Sequence, residues 1–265
     1  MGHTNRSSPG SQLIQARSDR MLAIILLLLL WALLHRAVGS EALASPLDTA
    51  DRLMQLLSGP RLWPHAAVTL FVWLSAFLLA AVTGVLAGVL MGMYRTSGQV
   101  AEPFVTALAS LPKVTLYPMV LLIFGLGLSS KLAFGFLHGV LPISLFTLGA
   151  VRRLPLIQMK SAQALGVSRR ACLRHLILPS IWPSVLSGLR LGASLTLLGV
   201  LIGEMFGAQK GLGFLLMNAM ELNDTANLSA LSVLLLMAAL GLNALLGGVI
   251  ALLMRGQPKA GRMGS

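Results

Sequence analysis

Stretches of apolar residues long enough to cross a lipid bilayer dominate this sequence and limit what it can fold into. A transmembrane helix needs about 20 predominantly apolar residues, and helices satisfy their own backbone hydrogen bonds where lipid offers none. Six such runs lie at 21–38, 66–93, 114–127 with an apolar lead-in from 104, 132–151, 185–206 and 228–254. The sequence therefore predicts an all-α membrane protein with six transmembrane helices.

The third run is the weakest of the six, because Pro112 and Pro118 interrupt it. Proline removes a backbone donor, and its cost in a membrane helix falls only where neighbouring groups satisfy the freed carbonyl. Only 11% of the 265 residues are charged, against about a quarter in soluble domains. Six spans with short loops leave little of the chain for a separate soluble domain.

The placement of Lys and Arg predicts which loops face the cytoplasm. Basic residues collect before the first run, between the fourth and fifth runs, and after the sixth, whereas the loops at 39–65 and 207–227 balance basic with acidic residues. Both termini are therefore expected in the cytoplasm. The net charge is +12. We interpret the basic residues as signals that orient the helices in the membrane and as contacts with lipid headgroups, and we expect no nucleic acid partner.

These assignments divide the chain into a cytoplasmic leader (1–20), a first helix with a periplasmic loop (21–63), a five-helix core (64–255) and a cytoplasmic tail (256–265). An alternative for the first run is a signal peptide, since Arg17 and Arg20 precede it and EALAS follows it. Consistent charges across every later loop favour a retained span.

Glycines recur at four-residue spacing inside the spans, as in Gly84, Gly88 and Gly92 or Gly188 and Gly192. In lipid, small residues bring helix backbones close enough for van der Waals contact. We expect packing inside one bundle, the alternative being an interface between two copies.

A basic segment at 156–180 separates the fourth and fifth spans. Gly166 suits the left-handed conformation that ends a helix, and Ser168 suits the N-cap of a second one. Pro179 and Pro183 are expected to stop that second helix and turn the chain back to the fifth span. The resulting amphipathic element has three interpretations, namely a helix lying on anionic headgroups, a docking surface for a partner, and a substrate site.

The string KSAQALGVSRRACLRHLILPSIWPSVLSGLRLG (160–192) resembles the EAA loop of inner-membrane permeases of binding-protein-dependent ABC importers. Ala162, Gly166, Leu178 and Pro179 match the family pattern, whereas Lys160 and Ser161 stand where the family has Glu and Ala. The strings PFVTALASLPKVTLYPMVLLIFGLGLSSK and GEMFGAQKGLGFLL resemble the nitrate, sulfonate and taurine branch of the same family.

The resemblance implies a type I importer permease fold in which this segment is a coupling helix. It would dock into a cleft on an ATPase subunit through Lys160, Ser161, Ala162, Gly166, Val167, Ser168, Arg170, Leu178 and Pro179. The implied partners are a dimer of ATPase subunits, a second permease copy and a periplasmic solute-binding protein. The sequence has no G-x-x-x-x-G-K-[ST] loop, so we expect no cofactor on this chain, with ATP and Mg²⁺ on the partner ATPase.

The branch implies a small anion such as a sulfonate, taurine or nitrate, with a pyrimidine-type vitamin precursor as the alternative. A self-sufficient secondary carrier is the competing class, and a membrane enzyme lacks a visible nucleophile or metal pattern. Lys113 is either a helix-end residue reaching the interface or an attractor of anions. Glu204 is either a gate or packing residue or a substrate contact. Arg190, just inside the fifth span on the cytoplasmic side, is expected to anchor at headgroups or to pair near the coupling element.

Overall fold

The computed structural model describes residues 9–154, 164, 166 and 168–254, and all regular structure within them is helical. Five helices are long and apolar enough to cross a membrane, and a bent pair supplies a sixth span if its two halves are counted together. The prediction of an all-α membrane protein is therefore confirmed.

Ten α-helices follow one another along the described chain. They are α1 (Pro9–Val38), α2 (Pro46–Ser58), α3 (Leu62–Met93), α4 (Arg95–Ser110), α5 (Tyr117–Phe124), α6 (Leu128–Arg152), α7 (Arg169–Cys172), α8 (Leu178–Gly207), α9 (Leu212–Glu221) and α10 (Thr225–Met254). A 3₁₀ turn at Lys113–Leu116 precedes α5, and a π-helical turn at Leu173–Ile177 precedes α8.

The chain divides into two compact units, and the first contains the described residues up to Pro60 together with Asn218–Leu234. Within it, α2 begins where Ser45 accepts a hydrogen bond from the Asp48 amide, with Pro46 in the first turn. Arg52 then donates from Nε to Asn227 Oδ1 at 2.7 Å. The loop after the first span therefore contains a helix, α2, that the apolar runs of the sequence do not predict.

The second unit contains the described residues of 61–217 and 235–254, and its core is built from α3, α6 and α8. Glycines allow the close approach of these helices. A Cβ on Gly88 would lie 2.5 Å from Thr147 Cβ, and one on Gly192 would lie 2.5 Å from Ile143 Cγ1. The expectation that the glycine repeats pack inside one bundle is confirmed at these positions.

The third predicted span is a broken one. Its halves, Val100–Ser110 and Lys113–Phe124, meet at an angle of 90°. The break falls at Leu111 and Pro112, both in non-helical conformations. Pro118 lies in the first turn of α5, where a missing backbone N–H costs no helical hydrogen bond, so only Pro112 marks the interruption.

The fifth span begins seven residues before its predicted start, and the expectation that Pro179 and Pro183 stop the preceding helix was wrong. The π-helical turn runs directly into α8, which starts at Leu178 and carries Pro183 in its interior. Pro179 lies at the second position of α8, directly after the π-helical turn. Pro183 lies in the interior of α8, so its missing N–H removes a helical hydrogen bond, and the helix continues through it.

Candidate functional site

The segment before α8 contains the bend and the cap that the sequence predicts. Gly166 has a φ of +71°, a conformation that residues with a Cβ rarely adopt. Two residues later Ser168 accepts a hydrogen bond from the Ala171 amide at Oγ (3.3 Å) and one from the Cys172 amide at its carbonyl (2.9 Å). The expected left-handed glycine and the N-cap of α7 are confirmed.

This segment has an apolar side that packs on the bundle and a basic side that is exposed. Ile177 is 1% exposed and belongs to a cluster with Val89 of α3, Val151 of α6 and Val185 of α8, against which Cys172 also packs. Arg174 and His175 are exposed. A displacement of the segment would therefore act directly on all three core helices.

Several of the residues predicted to contact the ATPase subunit are not part of this described segment. Lys160, Ser161, Ala162 and Val167 lie outside the described residues, as does the side chain of Arg170 in α7. Leu178 and Pro179 are exposed at the start of α8. The described part of the set thus consists of the bend, the cap and the entry to α8.

A buried polar cluster surrounds Glu204 near the far end of α8. The side chain is 0% exposed, and it accepts a hydrogen bond from the Thr69 hydroxyl, which lies 2.9 and 2.8 Å from its two oxygens. The Gly213 amide donates to Oε2 at 3.0 Å. The Thr69 hydroxyl in turn accepts from the Leu212 amide at 2.8 Å, so Glu204 and Thr69 together hold the start of α9 against α3 and α8.

Gly211 lets the chain pass directly over the Glu204 carboxyl group. Its φ is +130°, and a Cβ there would overlap that carboxyl group. The Gly211 amide lies 3.1 Å from His65 Nδ1, which ties the same turn to α3. The GAQKGLG stretch therefore has a specific local fold, in which glycine is required by both backbone conformation and space.

Lys131, from α6, is the buried cation of this cluster. It is 5% exposed, interacts electrostatically with Glu204, and donates to the Lys210 carbonyl at 3.4 Å. A buried charge is costly unless a partner compensates it. The cluster thus joins α3, α6 and α8 to the turn before α9.

Comparison with known proteins identifies the fold and the family. The model of the family described as "Binding-protein-dependent transport system inner membrane component" matches residues 80–257. The chain belongs to this family. It is therefore the membrane-spanning, non-catalytic permease component of an ABC importer.

Two relatives extend the match to most of the permease. The taurine transport system permease protein TauC of Escherichia coli (strain K12) is 27% identical over 231 residues, 83% of this chain and 84% of TauC. The riboflavin transport system permease protein RibX of Chloroflexus aurantiacus is 32% identical over 236 residues, 88% of each chain. Because one is named for a sulfonate and the other for a vitamin, they do not agree on a solute.

A solved structure supports the type I importer fold of the permease. A chain from inward-facing conformations of the MetNI methionine ABC transporter matches with a TM-score of 0.61, 73% of this chain and 98% of that chain being covered. At 19% identity the likeness concerns the fold alone.

The other predicted pathway residue of the permease, Lys113, has hydrogen-bond partners different from those of Glu204. It is half-buried at the bend between α4 and α5, and its Nζ donates to the Ala109 carbonyl at 2.9 Å. That carbonyl belongs to the last turn of α4, where carbonyl groups lack intrahelical partners. The contact satisfies one of the free carbonyls at the end of α4.

The sequence alone does not indicate the partners of Glu204. Its apolar run predicts a fourth span from Leu132, which leaves Lys131 outside the span, whereas α6 begins at Leu128. Thr69 and His65 lie more than 130 residues before their partners in the chain. No group of three or more His, Cys, Asp or Glu side chains that could hold a metal ion occurs within the described residues.

Proposed function

We propose that this permease is the membrane subunit of an ATP-driven importer for a small oxyanion of the sulfonate type. The family match supports the importer machinery, the similarity to TauC supports the solute class, and taurine and nitrate are the anions that the branch suggests. ATP and Mg²⁺ would be held by a separate ATPase subunit, and this chain would bind no cofactor.

The observation that carries the proposal is that the segment with the bend and the cap continues directly into the spanning helix α8. Gly166 adopts a left-handed conformation, Ser168 caps the start of α7, and the π-helical turn joins α7 to α8 without a break. A short helix continuous with a spanning helix transmits a push at its exposed end into the membrane. An ATPase subunit that docks on residues 156–180 would therefore displace α8 and press on the core helices against which Ile177 packs.

The proposed assembly contains two ATPase subunits, a second copy of the permease and a periplasmic solute-binding protein. Both termini and the 156–180 segment would face the cytoplasm, as the distribution of Lys and Arg favours. Solute would cross between the two permease copies. Lipid headgroups would contact the basic residues at the cytoplasmic surface.

Substitutions of Gly166 test the coupling role. Nothing lies within 4 Å of a Cβ at this position, so the backbone conformation and not space decides the outcome. Gly166→Pro, whose φ is fixed near −65°, and Gly166→Trp are expected to abolish ATP-driven uptake while the protein still inserts. Gly166→Asn is the matched control, because Asn tolerates the left-handed region, and it should retain most of the uptake.

The assay is uptake of radiolabelled solute into proteoliposomes that contain the permease with its ATPase, the binding protein being supplied at the side that delivers solute. Wild-type uptake with Gly166→Pro would count against the coupling role. Uptake that proceeds without ATP and without a partner, and that collapses with an ion gradient, would show a secondary carrier instead. If the preferred solute is a pyrimidine-type vitamin precursor, the ATP-driven importer stands and the proposed anionic solute is wrong.

A further inference from the structure

A polar cluster lies near the middle of two membrane-spanning helices of the second unit. Arg190 of α8 donates from Nε to Asn243 Oδ1 of α10 at 3.1 Å. Asn243 Nδ2 donates to Ser194 Oγ at 3.0 Å, and Ser194 Oγ donates to the Arg190 carbonyl at 3.3 Å. The ring of hydrogen bonds fixes the orientation of the Asn243 amide and places the guanidinium between the two helices.

The position of Arg190 along α8 bears on the expectation that it lies just inside the fifth span and anchors at headgroups or pairs near the coupling element. Because α8 begins at Leu178, Arg190 lies only about 4 Å along the axis from the midpoint of the helix, at 1.5 Å per residue. Asn243 lies about 5 Å from the midpoint of α10 by the same measure. Arg190 reaches sideways to α10, where the ideal Cβ of Gly247 would be 3.2 Å from its Cζ.

Arg190 has no carboxylate partner within the described part of the chain. The only acidic residue in α3, α6, α8 and α10 is Glu204, which is engaged by Thr69 and Gly213. Asn243 occupies the Nε group, so the two Nη groups form a free fork. A guanidinium fork matches the paired oxygens of a carboxylate or sulfonate.

Arg190 is exposed on the surface of this chain, although it lies near the middle of a helix long and apolar enough to cross a membrane. Charged residues at that depth almost always face a protein interior or a water-filled cavity, since exposure to hydrocarbon is costly. The face formed by Arg190, Ser194, Asn243 and Gly247 is therefore expected to border the solute pathway and not lipid.

We infer that Arg190, held by Asn243, is a binding point at mid-membrane for the oxyanion group of the transported solute. This inference rests on the proposed importer function and sharpens its substrate class, because a neutral solute would leave the guanidinium without a counter-ion. The Nη fork would bind the oxyanion group in two parallel hydrogen bonds, and Gly247 would leave room for the guanidinium to turn towards the solute.

Uptake of radiolabelled taurine by the assembled importer, at a saturating concentration of binding protein, tests the role of the fork. Arg190→Gln is expected to lower the maximal uptake rate at least about tenfold, since charge-assisted bidentate pairs are among the strongest polar contacts. Arg190→Lys keeps the charge without the fork and should show a smaller loss. Arg52→Gln is the control, because it removes the Arg–Asn pair between α2 and the start of α10, and it should leave uptake unchanged.

Accessibility to a charged, water-soluble methanethiosulfonate reagent tests whether the face borders water. On a Cys172→Ser background, Arg190→Cys should react readily. Leu78→Cys is the control, because Leu78 is 54% exposed on a face of α3 shared with Leu74 and Val82, and it should resist the reagent in lipid.

Each outcome bears on the inference. Full uptake by Arg190→Gln, resistance of Arg190→Cys, or loss of the second permease copy from the Arg190→Gln complex would overturn it. ATP-driven import of a solute without an acidic group, together with no import of taurine, would also overturn the inference. The proposed importer function would still stand in that case. Wild-type uptake that needs no ATP would instead overturn the importer function itself.

Discussion

Replacing Glu204 by Gln should destabilise the protein far more than an equivalent change at the surface. Glu204 is fully buried and accepts hydrogen bonds from the Thr69 hydroxyl and the Gly213 amide. Both donors reach Oε2, so a glutamine oxygen at that position can still accept from them, but as a neutral acceptor in place of a charged one. Hydrogen bonds to charged groups contribute about 1.5 to 3 kcal/mol and neutral ones about 0.5 to 1.5 kcal/mol, so the exchange costs about 1 kcal/mol for each bond.

Loss of the Glu204 charge adds to that cost, because Lys131 is buried at 5% exposure and interacts with this carboxylate. The two side chains make no direct salt bridge among the described contacts, so the full penalty of a broken buried pair, 3 to 5 kcal/mol, is an upper limit. We therefore expect Glu204→Gln to lower the free energy of unfolding by about 2 to 4 kcal/mol.

The measurement is unfolding of the purified protein in mixed micelles on titration with sodium dodecyl sulfate, followed by circular dichroism. Glu102→Gln is the matched control, because Glu102 pairs with Arg152 while 46% exposed, and exposed pairs contribute about 0 to 1 kcal/mol. Lys131→Met combined with Glu204→Gln should cost less than the sum of the single changes, since neither charge is then left alone. Equal unfolding of the Glu204 and Glu102 variants, with additive effects in the double variant, would refute the reasoning.

The remaining predictions concern packing and capping. Gly192→Ala should cost about 1 to 3 kcal/mol of unfolding free energy in the same titration, because its Cβ would press into Ile143; Gly241→Ala, with nothing within 4 Å, should be neutral or raise stability by up to about 1 kcal/mol. Ser168→Ala removes the cap of α7 and should cost about 1 kcal/mol locally. Hydrogen exchange of the Ala171 amide should then be about fivefold faster, and an unchanged rate would contradict the capping role.

The spans and the bend were accessible from the sequence because both depend on local chemistry. Long apolar runs have few alternatives to a membrane helix, and a glycine followed two residues later by serine specifies a reversal and a cap. The start of α8 could not be predicted from the sequence. Pro179 and Pro183 suggest the end of a helix, and the sequence does not show that the helix continues through them. The 90° break at Pro112 was visible as an interruption, but its angle depends on packing against the bundle.

The polar clusters were beyond the sequence for a different reason. Glu204 meets Thr69 across 135 residues and Arg190 meets Asn243 across 53, and no periodicity links such positions. Their isolated side chains in apolar runs were recognisable as unusual, whereas their partners look like ordinary helix residues. Lys131 shows how a small error in a helix boundary hides a buried charge. The sequence predicts a start at Leu132, four residues after the true start of α6, so Lys131 is expected outside the helix.

Helix α8 connects all three features of the permease that carry polar chemistry. Its first residue, Leu178, follows the capped segment at one end, Arg190 lies near its middle, and Glu204 lies in its last turn. At 1.5 Å per residue its 30 residues span about 45 Å, enough to cross the hydrocarbon core with a margin. Along this length glycines, at Gly188, Gly192 and others, hold α8 close to α6.

A helix packed through small residues against one neighbour has few bulky side chains to disengage when it shifts. Displacement of α8 at its Leu178 end would therefore move the Arg190 guanidinium relative to the rest of the bundle. The Glu204 cluster resists this movement at the opposite end, because it fixes α8 to α3 and to the turn before α9. We accordingly expect α8 to pivot about Glu204, so that a push at the capped segment produces its largest displacement near Leu178 and a smaller one at Arg190.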